Sequence, residues 1–279
     1  MAYSAPEKAS ENAINILNRA LDQERALSDF EISKIERNLT SVKRAGFVTE
    51  YYMASACFFA ITGNIRGLLE SAEGVFNSPH ASNKDKLQVI FALNNAMRYR
   101  DIYKYLPLLN EDEFLDQPSF VDCALSSCVI NYDFVKVQQI FSRLEGEVAS
   151  HSEIETTLAL AKALEDFSLK KKNNEVYKEY INSTLDWYSE NLLGRSRRLL
   201  GQSSLNYSFY EDETIDCLSV SIEFRKGSLD DLLELEDELM TYVANSEFPS
   251  YVKSSLNIKL NFKEINEDEQ LTETVNIYD

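Results

Sequence analysis

Histidine is nearly absent: His80 and His151 are the only two in 279 residues. They sit in Ser78-Pro79-His80 and Ser150-His151-Ser152, at helix boundaries, where a histidine is a solvated loop or cap residue. Neither has nearby in the sequence the second histidine that a zinc site needs. Cysteine is sparse too. Cys57, Cys123, Cys128 and Cys217 form no C-x-x-C pair, and the first three lie in apolar helical stretches as small buried hydrophobes. No phosphate-cradling glycine loop and no nucleophile elbow occurs. The most acidic loop candidate, Asn266-Glu267-Asp268-Glu269, lacks the glycine of a calcium loop. These absences lead us to expect no catalytic residue, no metal and no cofactor, and so no enzyme. Met1–Ser10 has no apolar signal segment, and the longest apolar run, around Met53–Ile61, is too short to span a bilayer. The expected compartment is the cytoplasm, with reduced thiols.

Positive charge is also in short supply. There are 28 basic against 46 acidic residues, a net charge of −18. Residues 211–279 carry 18 acidic and five basic residues, so the excess is concentrated there. Such a field repels nucleic acid and anionic lipid and steers a basic protein partner toward the C-terminal third. It equally serves plain solubility. The short basic runs Lys170–Lys172 and Arg195-Arg197-Arg198 read as loop charges, the second able to pair with the acidic C-terminal element. Carboxylate pairs such as Asp230-Asp231 and the run Glu234–Glu238 read as the solvated face of an amphipathic helix.

What is present is helical pattern. Eight glycines and five prolines favour long helices with short connections. Over residues 8–45, Ala13, Ile14, Leu17, Ala20 and Leu21 repeat at three and four, followed by a second stripe of Leu27, Phe30, Ile32, Ile35 and Leu39. Ser28 with Glu31 makes a capping box at which a second helix starts. From about 47 to 193, helical stripes alternate with breaks at Gly63-Asn64, Asn77–Pro79, Tyr99–Asp101, Asn110–Pro118, Tyr132-Asp133, Ser150–Ser152 and Lys170–Asn174.

Small residues four apart recur in Ala56–Ala60, Ala92–Ala96, Ala124–Cys128 and Ala159–Ala163, at spacings of 36, 32 and 35. Each run is followed by an apolar start to a second helix, at Ile65, Ile102, Phe134 and Leu169. Small residues on one helix face let a neighbour approach closely, and a period near 34 is that of an α-solenoid. A generic helical bundle stands as the alternative. Tyr52, Ala56, Phe59, Gly63, Asn64 and Ile65, echoed by Phe120 and Ala124, resemble a degenerate tetratricopeptide repeat. Leu68 stands where that motif has an alanine, and the later turns lack glycine. The resemblance implies a right-handed stack of helical hairpins that binds protein and has no catalytic residues. The amphipathic helix Glu175–Leu193, with Val176, Tyr177, Tyr180, Ile181, Leu185 and Tyr188 inward, is the expected terminal cap.

After Gly194 the pattern changes. Residues 195–202 read as a connector between a helical repeat domain (1–194) and an acidic α+β domain (203–279). Leu205, Tyr207 and Phe209 alternate as a strand, and so do Leu218, Val220, Ile222 and Phe224, with the opposite face of each expected in water. A helix over Leu229–Ala244 turns Leu229, Leu232, Leu233, Leu239 and Val243 inward. A third strand holds Leu256–Phe262, and a short fourth is expected at Thr274–Tyr278. The order is β-β-α-β, an element small enough to need docking on the helices or on another chain.

The expected function is therefore a protein-interaction scaffold or adaptor. Tyr51, Asn94, Asn95, Arg98, Ser127 and Asn131 interrupt or flank the apolar runs and are the expected partner-binding residues. The second reading is an antitoxin-, immunity- or chaperone-like inhibitor whose acidic C-terminal element blocks a basic effector.

Overall fold

A computed structural model of the chain describes residues 5–23, 25–144, 146–170, 174–201, 203–211 and 216–262. The fold is mainly helical with a small sheet near its C-terminal end. Helices α1 (Ala5–Asp22) and α2 (Asp29–Arg44) precede α3 (Val48–Thr62), α4 (Ile65–Phe76), α5 (Asn83–Asn95) and α6 (Tyr99–Tyr105). After 3-10 turns at Leu106–Leu108 and Glu111–Glu113 come α7 (Pro118–Ile130), α8 (Phe134–Phe141), the short α9 (Gly146–Ala149), α10 (Ser152–Lys170), α11 (Asn174–Asn191) and α12 (Leu193–Leu200). Strands β1 (Ser203–Glu211) and β2 (Asp216–Phe224), helices α13 (Leu229–Asn245) and α14 (Ser250–Ser255), and strand β3 (Leu256–Phe262) follow. The strand expected at Thr274–Tyr278, the run Asn266–Glu269 and most of Lys170–Lys172 lie outside the described residues.

The helices start where side chains satisfy their first N–H groups. Ser28 and Glu31 close the expected capping box, and Ser82 with Asp85 closes a second one that opens α5. Asn64 and Asp133 accept from the backbone N–H of Gly67 and Lys136 at the starts of α4 and α8. The turns inside three helical pairs share one geometry. Gly63, Met97 and Tyr132 each adopt the left-handed conformation, at φ of 73°, 57° and 59°. The next residue donates its N–H five positions back: Asn64 to Phe59, Arg98 to Leu93 and Asp133 to Cys128, at 3.0, 2.9 and 2.9 Å. This closure satisfies carbonyls at the helix end. The expected break at Tyr99–Asp101 lies one turn earlier, at Ala96–Arg98, because Tyr99 already opens α6.

Helices α3, α5, α7 and α10 begin 35, 35 and 34 residues apart, close to the period read from the small-residue runs. They pack in succession, α3 on α5, α5 on α7 and α7 on α10, while α4, α6 and α8 pack beside them. Ala56, Ala60, Ala92, Ala96, Ala124 and Cys128 are all buried along this row. The fourth run departs from the pattern. Ala159 is exposed, and α10 buries Ile154, Leu160, Ala161, Leu164 and Phe167 instead. Leu169 is 78% exposed and lies within α10, so it does not start a second helix. In the N-terminal pair, Ala13, Leu17, Ala20, Ile35 and Leu39 are buried as expected, whereas Phe30 is 70% exposed.

Two glycines set the fit of α4 on α3. A Cβ on Gly67 would lie 2.7 Å from the Phe59 ring, and one on Gly74 would lie 2.6 Å from the Tyr52 ring. Two aromatic residues seven apart on α3 thus rest on two glycines seven apart on α4.

The C-terminal element has the expected strand–strand–helix–strand order, with α14 added. Strand β1 pairs antiparallel with β2 (Leu205 opposite Ile222), and β3 pairs parallel with β2 (Val220 opposite Ile258). The helical crossover between β2 and β3 is what parallel pairing requires. Leu218, Val220, Ile222, Phe224, Leu256, Ile258 and Leu260 form one buried face. Ser219 and Ser221 on the opposite side of β2 are also buried, so that face of the central strand does not open to water as expected. On α13 the inward residues are Leu232, Leu235 and Leu239; Leu229 and Leu233 face outward.

The segment read as a connector is helix α12, with Ser196, Arg197 and Leu200 buried. Accordingly one hydrophobic cluster runs without interruption from Ala56 in α3 to Leu260 in β3. The sheet element docks on α11: Trp187 stacks on Tyr242 with centroids 4.5 Å apart, Tyr180 meets Phe248 edge-on, and the Tyr177 hydroxyl bonds Ser255 at 3.0 Å. Tyr177, Tyr180, Ile181, Leu185 and Tyr188 supply the buried face expected for α11. Each contributes on the order of 1.5–3 kcal/mol by leaving water. Its position differs from that of a terminal cap: α11 packs against α4, α7, α12, α14 and β3, crossing the row rather than extending it.

Candidate functional site: a braced row of turns and the groove beside it

Helices α11 and α12 run along the three left-handed turns. At the first turn, Gly63 meets Gly194 so closely that an added Cβ would lie 2.4 Å from the Gly194 Cα. Arg197 of α12 is 4% exposed, and its guanidinium donates to the carbonyls of Ala60 near the end of α3 and Asn95 at the end of α5. Those carbonyls sit at helix C-termini, where unpaired acceptors and the negative end of the helix dipole favour a cation. At the third turn, Asn182 of α11 donates to the Ile130 carbonyl at 3.3 Å. At the second turn, Arg98 is held by Asp101 at 2.8 Å, Asp186 at 3.1 Å and Glu190 at 2.9 Å. Arg100 beside it reaches Glu179 at 3.0 Å and Asp186 at 3.6 Å.

Carboxylates outnumber guanidinium groups in this knot. Burial pushes the Asp186 carboxyl up to about 6; Arg98 and Arg100 pull it down, while Asp101 and Glu190 add to the rise. Burial pushes Arg197 the other way, down to about 10.

A groove of about 610 Å³ opens on the outer side of the knot, between α4 and α6. Its floor is Ile65, Leu69 and Tyr105, the last stacked on Phe76 with centroids 4.1 Å apart. Glu70, Glu73, Asp101 and Glu190 line it against Arg66 and Lys104. Arg66 is tied to Glu70 at 3.0 Å, and the Lys104 ammonium lies 5.0 Å from the Tyr105 ring centroid. The arrangement suits a cationic side chain entering over an apolar floor.

The six residues expected to bind a partner are distributed differently. Ser127 is fully buried and donates to the Ala124 carbonyl. Asn131 is buried and donates to the carbonyls of Ser127 and Tyr99. Arg98 is buried in the ionic knot. Asn94 and Asn95 are half-buried at the end of α5, and the Asn95 carbonyl is engaged by Arg197. Tyr51 is half-buried elsewhere, under the Lys43 ammonium at 4.9 Å. Thus Arg98, Asn95 and Asn131 come together along the turns, facing α11 and α12 rather than an open surface. The groove residues Leu69, Glu70, Glu73 and Lys104 were missed. Their signal was present: after the inward Ile65, Leu68, Ala72 and Val75 of α4, Arg66, Glu70 and Glu73 mark its outer side. The expected pairing of the Arg195 cluster with the acidic element is present, since Arg195 bonds Glu238 and approaches Glu234 at 4.0 Å.

Among the described residues no group of three or more His, Cys, Asp or Glu side chains is placed to hold a metal, and no helix is long and apolar enough to cross a membrane. Comparison with known proteins finds no matching family model, no similar curated protein and no similar solved structure.

Proposed function

We propose that this protein is a non-enzymatic interaction scaffold that takes a basic segment of a partner protein into the groove between α4 and α6. The observation that carries this reading is the groove itself: an apolar floor of Ile65, Leu69 and Tyr105 beneath four carboxylates and two cations. A lysine or arginine stem lies along apolar surface while its head meets carboxylate. The net charge of −18 favours approach of a basic chain. The tetratricopeptide-like reading belongs here as well. It is supported by helix starts 35, 35 and 34 residues apart and by three turns of one geometry. On this reading α3–α10 form a stack of helical hairpins, and the second-helix side is left for the partner because α11 and α12 occupy the turns.

Peptides selected on the whole chain from a random display library test the proposal. They should converge on sequences containing lysine or arginine, and Glu73→Lys should weaken them at least tenfold. A selection without basic consensus, or binders indifferent to Glu73→Lys, refutes it. A second reading, an inhibitor acting through the C-terminal element, is favoured by one feature. Leu229 and Leu233 are 60% and 49% exposed on α13 beside Asp230, Glu234 and Asp237. Selected peptides released by Leu233→Lys and not by Glu73→Lys would favour that reading instead.

A further inference from the structure

A second cavity lies on the other side of Gly63, where the α1–α2 loop, the end of α3 and the α11–α12 junction meet. It encloses about 480 Å³. Among the described residues, Arg25, Arg195, Arg197 and Arg198 line it with one carboxylate, Glu190, in a chain of net acidic charge. Two of the four arginines are neutralised nearby, Arg25 by Glu31 at 2.7 Å and Arg195 by Glu238. Glu190 is committed to Arg98. No carboxylate among the described residues pairs with Arg197 or Arg198.

Arg197 makes this more than a basic surface. It is 4% exposed, and among the described residues the acceptors of its terminal nitrogens are carbonyl oxygens. Its Nε is buried without an acceptor, and so is the Nε of Arg195. A buried cation without a counter-anion is costly, and so is each buried donor left unfilled. Both arginine side chains line the cavity, so an anion held there lies close to these unbalanced groups. The remaining wall includes the apolar Ala26, Leu27, Ile32 and Ile61 beside the polar Thr62 and Asn191. That wall asks for a carbon body on the anion, and the volume admits one ring-sized group with its oxyanion.

We propose that this cavity binds a small organic oxyanion. Its apolar body lies against Leu27, Ile32 and Ile61, and its oxygens fill donors of Arg195, Arg197 and Arg198. A phosphate monoester and a carboxylate share this chemistry. Binding here does not require a peptide in the groove between α4 and α6, although Gly63 and Glu190 line both.

Titration calorimetry of the full chain at fixed ionic strength, with phenyl phosphate and with benzoate as probes, tests it. Saturable binding of at least one probe is expected; the tighter one identifies the headgroup. Arg198 is exposed, so Arg198→Glu should fold with an unchanged urea midpoint and bind at least tenfold more weakly. Arg37→Glu, on the exposed side of α2 outside the cavity, makes the same change in net charge and should bind as the parent does. The Nε–H resonance of Arg197 should shift along the titration, a readout that needs no variant. Heats that do not saturate with either probe, or equal losses in Arg198→Glu and Arg37→Glu, overturn the proposal.

Discussion

Gly63 and Gly46 form a natural comparison for the junction on which the fold turns. Both follow a helix and both have left-handed φ, 73° and 81°. An alanine at either position carries the penalty of about 1–2 kcal/mol for a Cβ in that conformation. It also loses the same unfolded-state entropy, so these contributions cancel between the two variants. They differ in surroundings. A Cβ on Gly46 meets nothing within 4 Å, whereas one on Gly63 lies 2.4 Å from the Gly194 Cα and 2.5 Å from its nitrogen. Ordinary carbon contacts are about 3.5–4.0 Å, so α12 must move outward by about 1 Å. Overpacking of that kind costs about 1–3 kcal/mol. The movement also loosens the Arg197 bonds to Ala60 and Asn95, each worth about 1.5–3 kcal/mol. Partial loss of these brings the expected gap between Gly63→Ala and Gly46→Ala to about 2–4 kcal/mol. With a urea slope of about 3 kcal/mol per M, the midpoint of Gly63→Ala should fall about 1 M below that of Gly46→Ala. Gly194→Ala should destabilise less than Gly63→Ala: its Cβ meets the Thr62 carbonyl at 2.9 Å, but its backbone is helical and carries no left-handed penalty. The double variant should cost less than the sum, because one displacement of α12 relieves both clashes. Equal midpoints for Gly63→Ala and Gly46→Ala would show that α12 does not rest on the first turn, and the account of the brace would fail.

Gly74→Ala raises intrinsic helix propensity by about 1 kcal/mol, yet it should destabilise by about 1–3 kcal/mol because its Cβ meets the Tyr52 ring at 2.6 Å; Gly74→Ala combined with Tyr52→Leu should recover part of the loss in urea titrations. Asp186, raised to about 6 from 3.8, holds its proton more readily folded than unfolded, so its contribution makes stability decline as pH rises from about 4 to about 6. Asp186→Asn should flatten that part of the stability–pH curve, by at most about 3 kcal/mol, and an unchanged curve counts against the buried knot. Glu31 moves in the opposite direction, lowered to about 2 by Arg25 and by the Ser28 backbone. Its contribution is present above about 4.5 and is lost as pH falls toward 2, so Glu31→Gln should remove acid lability in that window, read by circular dichroism of the N-terminal helices.

The elements were legible where their signals are local. The Ser28–Glu31 box, the paired small residues of α3, α5 and α7, and the alternation of β2 each report on a few neighbouring residues, and each element lies where its pattern points. The departures at the candidate site share a cause: contacts between distant segments. Arg98, Ser127 and Asn131 look like polar residues of an open face, but α11 and α12 cover the turns. Only the fold brings Glu190 to Arg98 and Arg197 to Ala60. Leu229 and Leu233 match an inward stripe as well as Leu232 does, and only the direction from which β3 packs decides among them. The row Gly194–Gly201 resembles a linker because a glycine stands at each end of a short, strongly basic run. Its glycine is instead required by the close approach to Gly63, and its middle arginine by helix ends that need a cation.

The brace changes what kind of object the helical row is. Helices stacked at a 35-residue period touch mainly their sequence neighbours, and such an array can open locally. Here residues 182–197 bind the ends of α3, α5 and α7 together, through contacts that span 52 residues from Asn182 to Ile130 and 137 from Arg197 to Ala60. Opening one turn therefore exposes a buried arginine or breaks the ionic knot, so the row and the sheet element should unfold as one unit. The same contacts apportion the surface. The turn edge is filled by the chain itself, which leaves the α4–α6 groove on one side of Gly63 and the arginine-lined cavity on the other. Glu190 lines both, bound to Arg98 between them. An oxyanion that draws α12 inward pulls on Gly194 and Glu190 together, so occupancy of the cavity should be felt in the groove as a change in affinity for a basic peptide, and by reciprocity in the opposite direction as well.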